Sequence, residues 1–347
     1  MPSPLWGEGA GERHDGCLYM PWIQNRYFRY ILSRFLQAIP LIFVILVINF
    51  FLIHASPGDP VDILVGLTDA DPKVLQELRR EFGLDQSLLV QLGIYMKKLI
   101  QFDLGYSMRY RQAVFDLILS RLPATLLLMG VALALASFLG IFLGVLAAQR
   151  PYGWIDNTST FMALAGYSMP LFWLGQILLL IFALKLDLLP AQGMVSLRAP
   201  SEGWGRVFDI MKHLILPAVT YSSYFLALVF RMTRVKMQEV LAQDFILTAH
   251  AKGVSGRQVV YKHALRNAMI PIVTIIGYNF GFMIAGSVLT ETVFAWPGLG
   301  RLMFDAIMAR DYPVLLGIFF IISIIVILVN AMTDIVYVII DPRVVYD

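Results

Sequence analysis

This sequence predicts an all-α, polytopic membrane protein with about six transmembrane helices. Three observations carry that prediction. Only 15% of the 347 residues are charged, whereas a soluble domain carries about 25%. Mean hydropathy is +0.71. Apolar runs near the roughly 20 residues needed to cross the hydrocarbon core recur along the chain. A soluble fold would have to bury whole helices on every side. The net charge of +3 is too small to suggest nucleic acid, and in a membrane protein the placement of Lys and Arg matters more than their sum. The single cysteine, Cys17, has no internal disulfide partner, and no Cys/His cluster has the spacing of a zinc or iron–sulfur site.

Residues 1–25 read as an extension that is disordered, or an artefact of an upstream start codon with Met20 as the true start. Met1 to Met20 has four glycines, two prolines and no apolar run, so it lacks the h-region of a signal peptide. Mass spectrometry of the mature N-terminus distinguishes the two readings. Residues 26–347 form a single transmembrane domain.

The six expected spans are Phe35–Ile53, Leu122–Ala148, Met162–Leu184, Leu214–Phe230, Pro271–Val293 and Val314–Thr333. Pro170 lies inside the third and predicts a kink, because proline removes a donor and clashes with the preceding turn. The fourth continues helically into polar sequence. Gly277, Gly281 and Gly286 permit close helix contact in the fifth, and packing is their simplest reading. Arg26, Arg29 and Arg34 precede the first span, and the loop between the fourth and fifth is the most basic short loop. The positive-inside rule places both on the cytoplasmic side, with both termini. The connection 54–121 is then external. Trp22, Trp204 and Trp296 are expected near the interfaces.

The external connection carries local order. Ser56-Pro57-Gly58-Asp59-Pro60 is a turn cluster. Asp71 and Pro72 suit the start of a short helix, Lys73 to Phe82, that ends at Gly83.

The most informative stretch is the basic island between Arg231 and Pro271, within the cytoplasmic loop 231–270. It holds seven of the 27 Lys and Arg against Glu239 and Asp244. Asp244 predicts an N-cap, and Phe245 to Lys252 a helical stretch of about 12 Å at 1.5 Å per residue. Gly253 suits the left-handed position that follows. Ser255 predicts the cap of a second helix, Gly256 to about Ala268, with Pro271 opening the fifth span. Leu241, Phe245, Thr248 and Ala249 share one side of the first helix. A small face with one aromatic knob fits a groove in a partner. The competing reading, an amphipathic helix resting on lipid headgroups, wants a larger apolar face, and Thr248, Ala249 and Ala251 are too small for it.

The island resembles the EAA loop of permease subunits of bacterial ABC importers, in the form D-[YF]-x-x-T-A-x-A-K-G of the peptide-transport branch. Asp244, Phe245, Thr248, Ala249, Ala251, Lys252 and Gly253 fill that pattern, while Leu247 and Thr248 stand where the general pattern has glutamate and alanine. Further stretches resemble the same branch in order along the chain. They are Pro57-Gly58-Asp59-Pro60, Phe82-Gly83-Leu84-Asp85, Asp103-Leu104-Gly105 with Ser107, and Arg121-Leu122-Pro123-Ala124-Thr125-Leu126. His263-Ala264-Leu265-Arg266-Asn267-Ala268, Trp296-Pro297-Gly298-Leu299-Gly300, Asp311-Tyr312-Pro313 and Asp341-Pro342-Arg343 follow. The resemblance implies a type I ABC importer permease fold in the bacterial inner membrane and a role in dipeptide or oligopeptide import. It implies as partners a second homologous permease, two ABC ATPase subunits and an external solute-binding protein, with the lipid bilayer around them. ATP and magnesium would bind the ATPases, and no cofactor would bind this chain. Residues 244–253 would form the coupling helix, with Phe245 as knob and Gly253 as turn.

No Walker A sequence, nucleophile elbow or HExxH zinc motif occurs, so no catalytic or metal residues are expected. His54, His213, His250 and His263 lack triad or metal partners and read as structural. Gln176, Asn279 and Asn330 are the candidate pore-lining residues, because polar groups inside spans usually face a cavity. Helix–helix hydrogen bonding is the simpler reading of each. Glu291 and Asp334 lie near span ends, within reach of water. An ion-coupled secondary transporter would want acidic residues mid-span and an inverted repeat, and neither is evident. Within the resembled branch, nickel complexes and glutathione are the alternative substrates.

Overall fold

The computed structural model describes residues 21–55, 85–107, 109–196 and 202–340. The turn cluster at 56–60, the helix expected over 73–82, the Asp341-Pro342-Arg343 motif and the extension at 1–20 lie outside them. So do the side chains of Trp22 and Asp334. Contacts divide the chain after Leu41, and the packing below concerns the unit that starts at Ile42.

Helices dominate. Helix α1 (Pro21–Ala55) is followed by α2 (Leu88–Ile100) and a small antiparallel hairpin, β1 (Tyr106–Ser107) with β2 (Gln112–Ala113), in which Ser107 pairs with Gln112. Then come α3 (Val114–Gln149), α4 (Trp154–Ser168) and α5 (Leu171–Leu178), which runs on as a π-helical turn through Lys185. Helix α6 (Gly203–Leu241) is the longest, at 39 residues. After α7 (Asp244–Ala251), the short α8 (Gly256–Gln258), a π-turn (Val259–Ala264) and α9 (Leu265–Val293) follow one another directly. Helices α10 (Leu299–Ala309) and α11 (Tyr312–Ile340) complete the order.

Among the described residues, three helices are long and apolar enough to cross a membrane unbroken: α3, α6 and the Tyr312–Thr333 part of α11. Two further segments are bent pairs, and Ile39–Ala55 of α1 is a shorter apolar helix. With each bent pair taken as one span, these account for five of the six expected segments, and Ile39–Ala55 lies at the place of the first but is shorter.

Two differ from expectation in shape. The third is no kinked rod. It breaks at Pro170 into Trp154–Ser168 and Leu171–Lys185, bent by 106°. Met169 and Pro170 are extended, with ψ of 132° and 128°. The Pro170 carbonyl accepts the Trp173 and Leu174 amides and starts a new helix. The fifth span begins earlier than Pro271, which sits inside α9. The second island helix therefore does not end near Ala268 but is the base of that span. A π-helical turn at Val259–Ala264 leads into this helix. A bend of 62° falls between Met283 and Gly286, where the buried Tyr221 hydroxyl donates to the Met283 carbonyl.

Glycines set the closest approaches. A Cβ on Gly144 would stand 2.6 Å from Thr233 Cβ, and one on Gly140 would stand 2.9 Å from Val229 Cβ. This small-xxx-small pair on α3 locks it to α6, and the two form the most extensive helix pair in the molecule. In α9, Gly277 abuts Thr333 and Gly286 abuts Tyr221, which is the packing role read for them in the sequence.

Candidate functional site

Helix α7 starts one residue earlier than the sequence suggested. Gln243, with φ −83° and ψ 150°, is the N-cap, and no side chain bonds the free amides. Asp244 is not the cap. It occupies the first turn, where a carboxylate still meets the positive end of the helix dipole. The far end follows expectation. Gly253 has φ +76°, its amide bonds the His250 carbonyl at 2.9 Å, and the Val254 amide bonds the Ala249 carbonyl at 3.2 Å. That pair of bonds is a Schellman turn, in which glycine adopts the left-handed conformation without strain. Nothing lies within 4 Å of a Cβ built on Gly253, so the backbone angle alone selects glycine.

The side expected to dock splits in two. Ala249 turns inward with Ile246, and both join a cluster with Val145 and Ala148 of α3, Val240 of α6, and Val259 and Ala264. Leu241 packs against the same cluster. These residues seat α7 on the ends of three helices. Asp244, Phe245, Leu247, Thr248, Ala251, Lys252 and Gly253 are exposed. Leu247, 72% exposed, projects further than Phe245 at 38%. The sequence reading treated Leu247 only as a departure from the motif. Its apolar character on the outward side of a helix already seated through Ile246 and Ala249 was the available signal.

Beside this helix, the start of the island is tied to α4. Arg234 donates from Nε to Asp156 Oδ1 at 2.5 Å and from Nη2 to Asp156 Oδ2 at 2.7 Å. The Tyr152 amide reaches the same carboxylate at 2.8 Å and the Thr160 hydroxyl at 3.4 Å. Asp156 is 1% exposed. Nothing local in the sequence marks this pair, because its members are 78 residues apart.

At the opposite end of α3 two sequence motifs interlock. Glu291 does not reach water. It is fully buried, accepting the Thr125 hydroxyl at 2.7 Å and the Arg301 amide at 2.9 Å. Thr125 Oγ1 also accepts the Leu299 amide at 2.7 Å. A Cβ on Gly298 would collide with the Glu291 carboxylate. Trp296, expected near an interface, is enclosed by protein. It is fully buried, with its indole N–H on the Ala124 carbonyl at 2.8 Å. That internal acceptor removes the reason for the ring to seek the headgroup region. A second network joins the Asp103–Ser107 stretch to Asp311: Ser107 Oγ donates to Asp311 Oδ2 at 2.6 Å. Burial pushes the Asp311 carboxyl above the usual carboxylate range, against the lowering effect of the Ser107 hydrogen bond.

The candidate pore residues differ in exposure. Gln176 and Asn330 are exposed, whereas Asn279 is 4% exposed and packed between helices, with no hydrogen-bond partner for its Nδ2. His54 stacks on Phe50 with ring centres 4.0 Å apart, and His213 Nδ1 lies 2.8 Å from the Asp209 carbonyl.

Residues 140–346 match the family described as the binding-protein-dependent transport system inner membrane component, and residues 27–129 match its N-terminal part. Curated relatives include the dipeptide transport system permease protein DppB of Alkalihalophilus pseudofirmus, 38% identical over 91% of this chain and 99% of that one. The di/tripeptide permease DppB of Pseudomonas aeruginosa is 40% identical, and the dipeptide permease DppB of Escherichia coli is 39% identical. Each of these matches covers 91% of this chain and 98% of the relative. Among solved structures, a chain of the MetNI methionine ABC transporter in an inward-facing conformation superimposes with a TM-score of 0.53. It covers 65% of this chain and 97% of that one at 18% identity. This likeness places the fold among type I ABC importer permeases.

Proposed function

The chain belongs to the family of binding-protein-dependent transport system inner membrane components, and on that premise we propose that it is a permease subunit of an ATP-driven importer of dipeptides and short oligopeptides. The observation that carries the substrate class is identity of 38–40% to permeases named for dipeptides and tripeptides, over 98–99% of their length. Nickel complexes and glutathione are not favoured. An ion-coupled secondary transporter is not favoured, because family membership makes transport depend on a binding protein.

In this reading a second permease completes the pore, and a solute-binding protein delivers substrate from outside. Two ABC ATPases dock on the cytoplasmic side, where both termini also lie. Helix α7 is the coupling helix. Phe245 and Leu247 enter a groove of one ATPase, while Ile246 and Ala249 hold the helix to the bundle. Closure of the ATPase pair moves α7 as a rigid piece, and the bundle passes between two states. Gln176 and Asn330 are free to line the pore, and Asn279 is not in this conformation. ATP and magnesium belong to the ATPases. Apart from Ala249, which faces the bundle, the motif residues Asp244, Phe245, Thr248, Ala251, Lys252 and Gly253 form the outward surface of the coupling element.

Purification of the tagged chain from its native membrane tests the assembly: two ATPase subunits should accompany it. Reconstitution with the binding protein tests the cargo. Dipeptides should stimulate ATP hydrolysis, and nickel complexes and glutathione should not. Stimulation by nickel or glutathione alone would sink the peptide reading.

A further inference from the structure

The ion pair between α4 and α6 has no part in the function above, yet it stands at the base of the coupling element. Arg234 lies ten residues before Asp244 on a helix that runs unbroken to Leu241. Its planar fork meets both oxygens of Asp156, a geometry that fixes orientation as well as distance. The same carboxylate holds the Tyr152 amide, in a turn where Tyr152 itself is left-handed, with φ +61°. One residue before Arg234, Thr233 meets α3 at Gly144. The end of α6 is thus gripped by close packing on α3 and by charge on α4. From Asp156, α4 leads to the Pro170 break and on to α5, where Gly175 packs against Val293 and Phe294 at the far end of α9. A continuous series of packed elements joins the coupling helix to the broken span, and Asp156–Arg234 is its ionic joint.

We infer that Asp156 and Arg234 are positioning residues for energy coupling: they clamp α4 to α6 so that displacement of α7 reaches the broken span instead of dissipating at the α3–α4 turn. This rests on the permease reading. Stability is a poor alternative reason for the pair, because the desolvation of the buried Asp156 carboxylate offsets part of an attraction that solvent already screens at the half-buried Arg234. A bidentate joint between two helices that must move together is a better one.

The test uses the full complex of both permeases, ATPases and binding protein in proteoliposomes, with radiolabelled alanyl-alanine as cargo. Uptake per ATP hydrolysed is compared for wild type, Arg234→Gln and Arg234→Lys. A coupling role predicts ATP hydrolysis within about 2-fold of wild type. It also predicts that uptake per ATP falls roughly 10-fold for the glutamine variant and less for lysine, the range typical of a coupling free energy. An unchanged ratio in both variants overturns the inference, since a purely structural pair would lower uptake and hydrolysis together. Failure of both variants to assemble also overturns it, by making the pair a folding element. If wild type itself shows no peptide-stimulated hydrolysis, the permease reading fails first and this one falls with it.

Discussion

Several helix ends are closed by the same backbone device, a left-handed residue with a pair of backbone bonds, Phe102 and Arg310 among them, and two of these ends are put to opposite uses. After α7 the left-handed residue is Gly253, and the neighbouring surface is exposed. After α9 it is Ala295, with φ +49°. The Ala295 amide bonds Thr292 and the Trp296 amide bonds Glu291, the same two-bond pattern. There the flanking Phe294 and Trp296 are buried. Local chemistry makes the turn in both places. Whether the turn serves as scaffold or as interface depends on what the rest of the chain packs around it. Around Ala295, the Glu291 network over-determines the backbone and holds a non-glycine residue in a strained conformation. Around Gly253 nothing does, and only glycine keeps the turn unstrained.

The comparison is broken most forcefully at the buried end. Trp296→Ala should remove about 3–5 kcal/mol of stability through the cavity it leaves, read as a large loss of the folded fraction in thermal unfolding of the detergent-solubilised protein. Gly253→Val should lose about 1–2 kcal/mol, the strain of a left-handed L-residue. Its sharper effect is on the complex, where peptide-stimulated ATP hydrolysis should collapse. Wild-type hydrolysis in that variant would refute the role given to the turn. Ala295→Gly should go the other way. Relief of about 1–2 kcal/mol of strain, less about 0.4–1 kcal/mol for the freer unfolded chain, leaves a gain of up to about 1.6 kcal/mol in the same unfolding measurement. Smallest on the fold is the double change Phe245→Ala with Leu247→Ala. It should alter stability by less than about 0.5 kcal/mol while reducing recovery of the ATPase subunits in co-purification at least about tenfold, as expected for paired interface anchors. Full recovery would sink the docking surface.

Which of these features a reader of the sequence could see follows from the range of the forces involved. Gly253 was legible because a single residue type answers to a single backbone angle. The helix around Phe245 was legible from local pattern, but its inward side was not. Ala249 faces the bundle because α3, α6 and α9 happen to end beneath it. Pro170 announced a disruption, yet the size of the bend is set by where α5 packs, with Gly175 on Phe294. Trp296 was misplaced because an amphipathic ring ordinarily prefers the membrane interface, and its partner, the Ala124 carbonyl, lies 172 residues away. Glu291 failed for the same reason: its partner Thr125 is 166 residues distant. The small residues Gly298 and Gly300 beside Trp296, which bring α10 against Glu291 and Val288, were the one local hint of tight burial.

The break at Pro170 bears on how the protein is made. Each half, Trp154–Ser168 and Leu171–Lys185, has 15 residues, or about 22 Å of helix, against a hydrocarbon core of about 30 Å. With a turn of 106° between them, neither half reaches across the core in the folded molecule. A final depth set by protein neighbours that emerge later, α6 and α9 above all, is the expectation that follows. A glycosylation or accessibility reporter placed after Lys185 should therefore report its mature side only in chains long enough to include α9. A chain truncated before α6 that already reports it would show that lipid alone positions the segment.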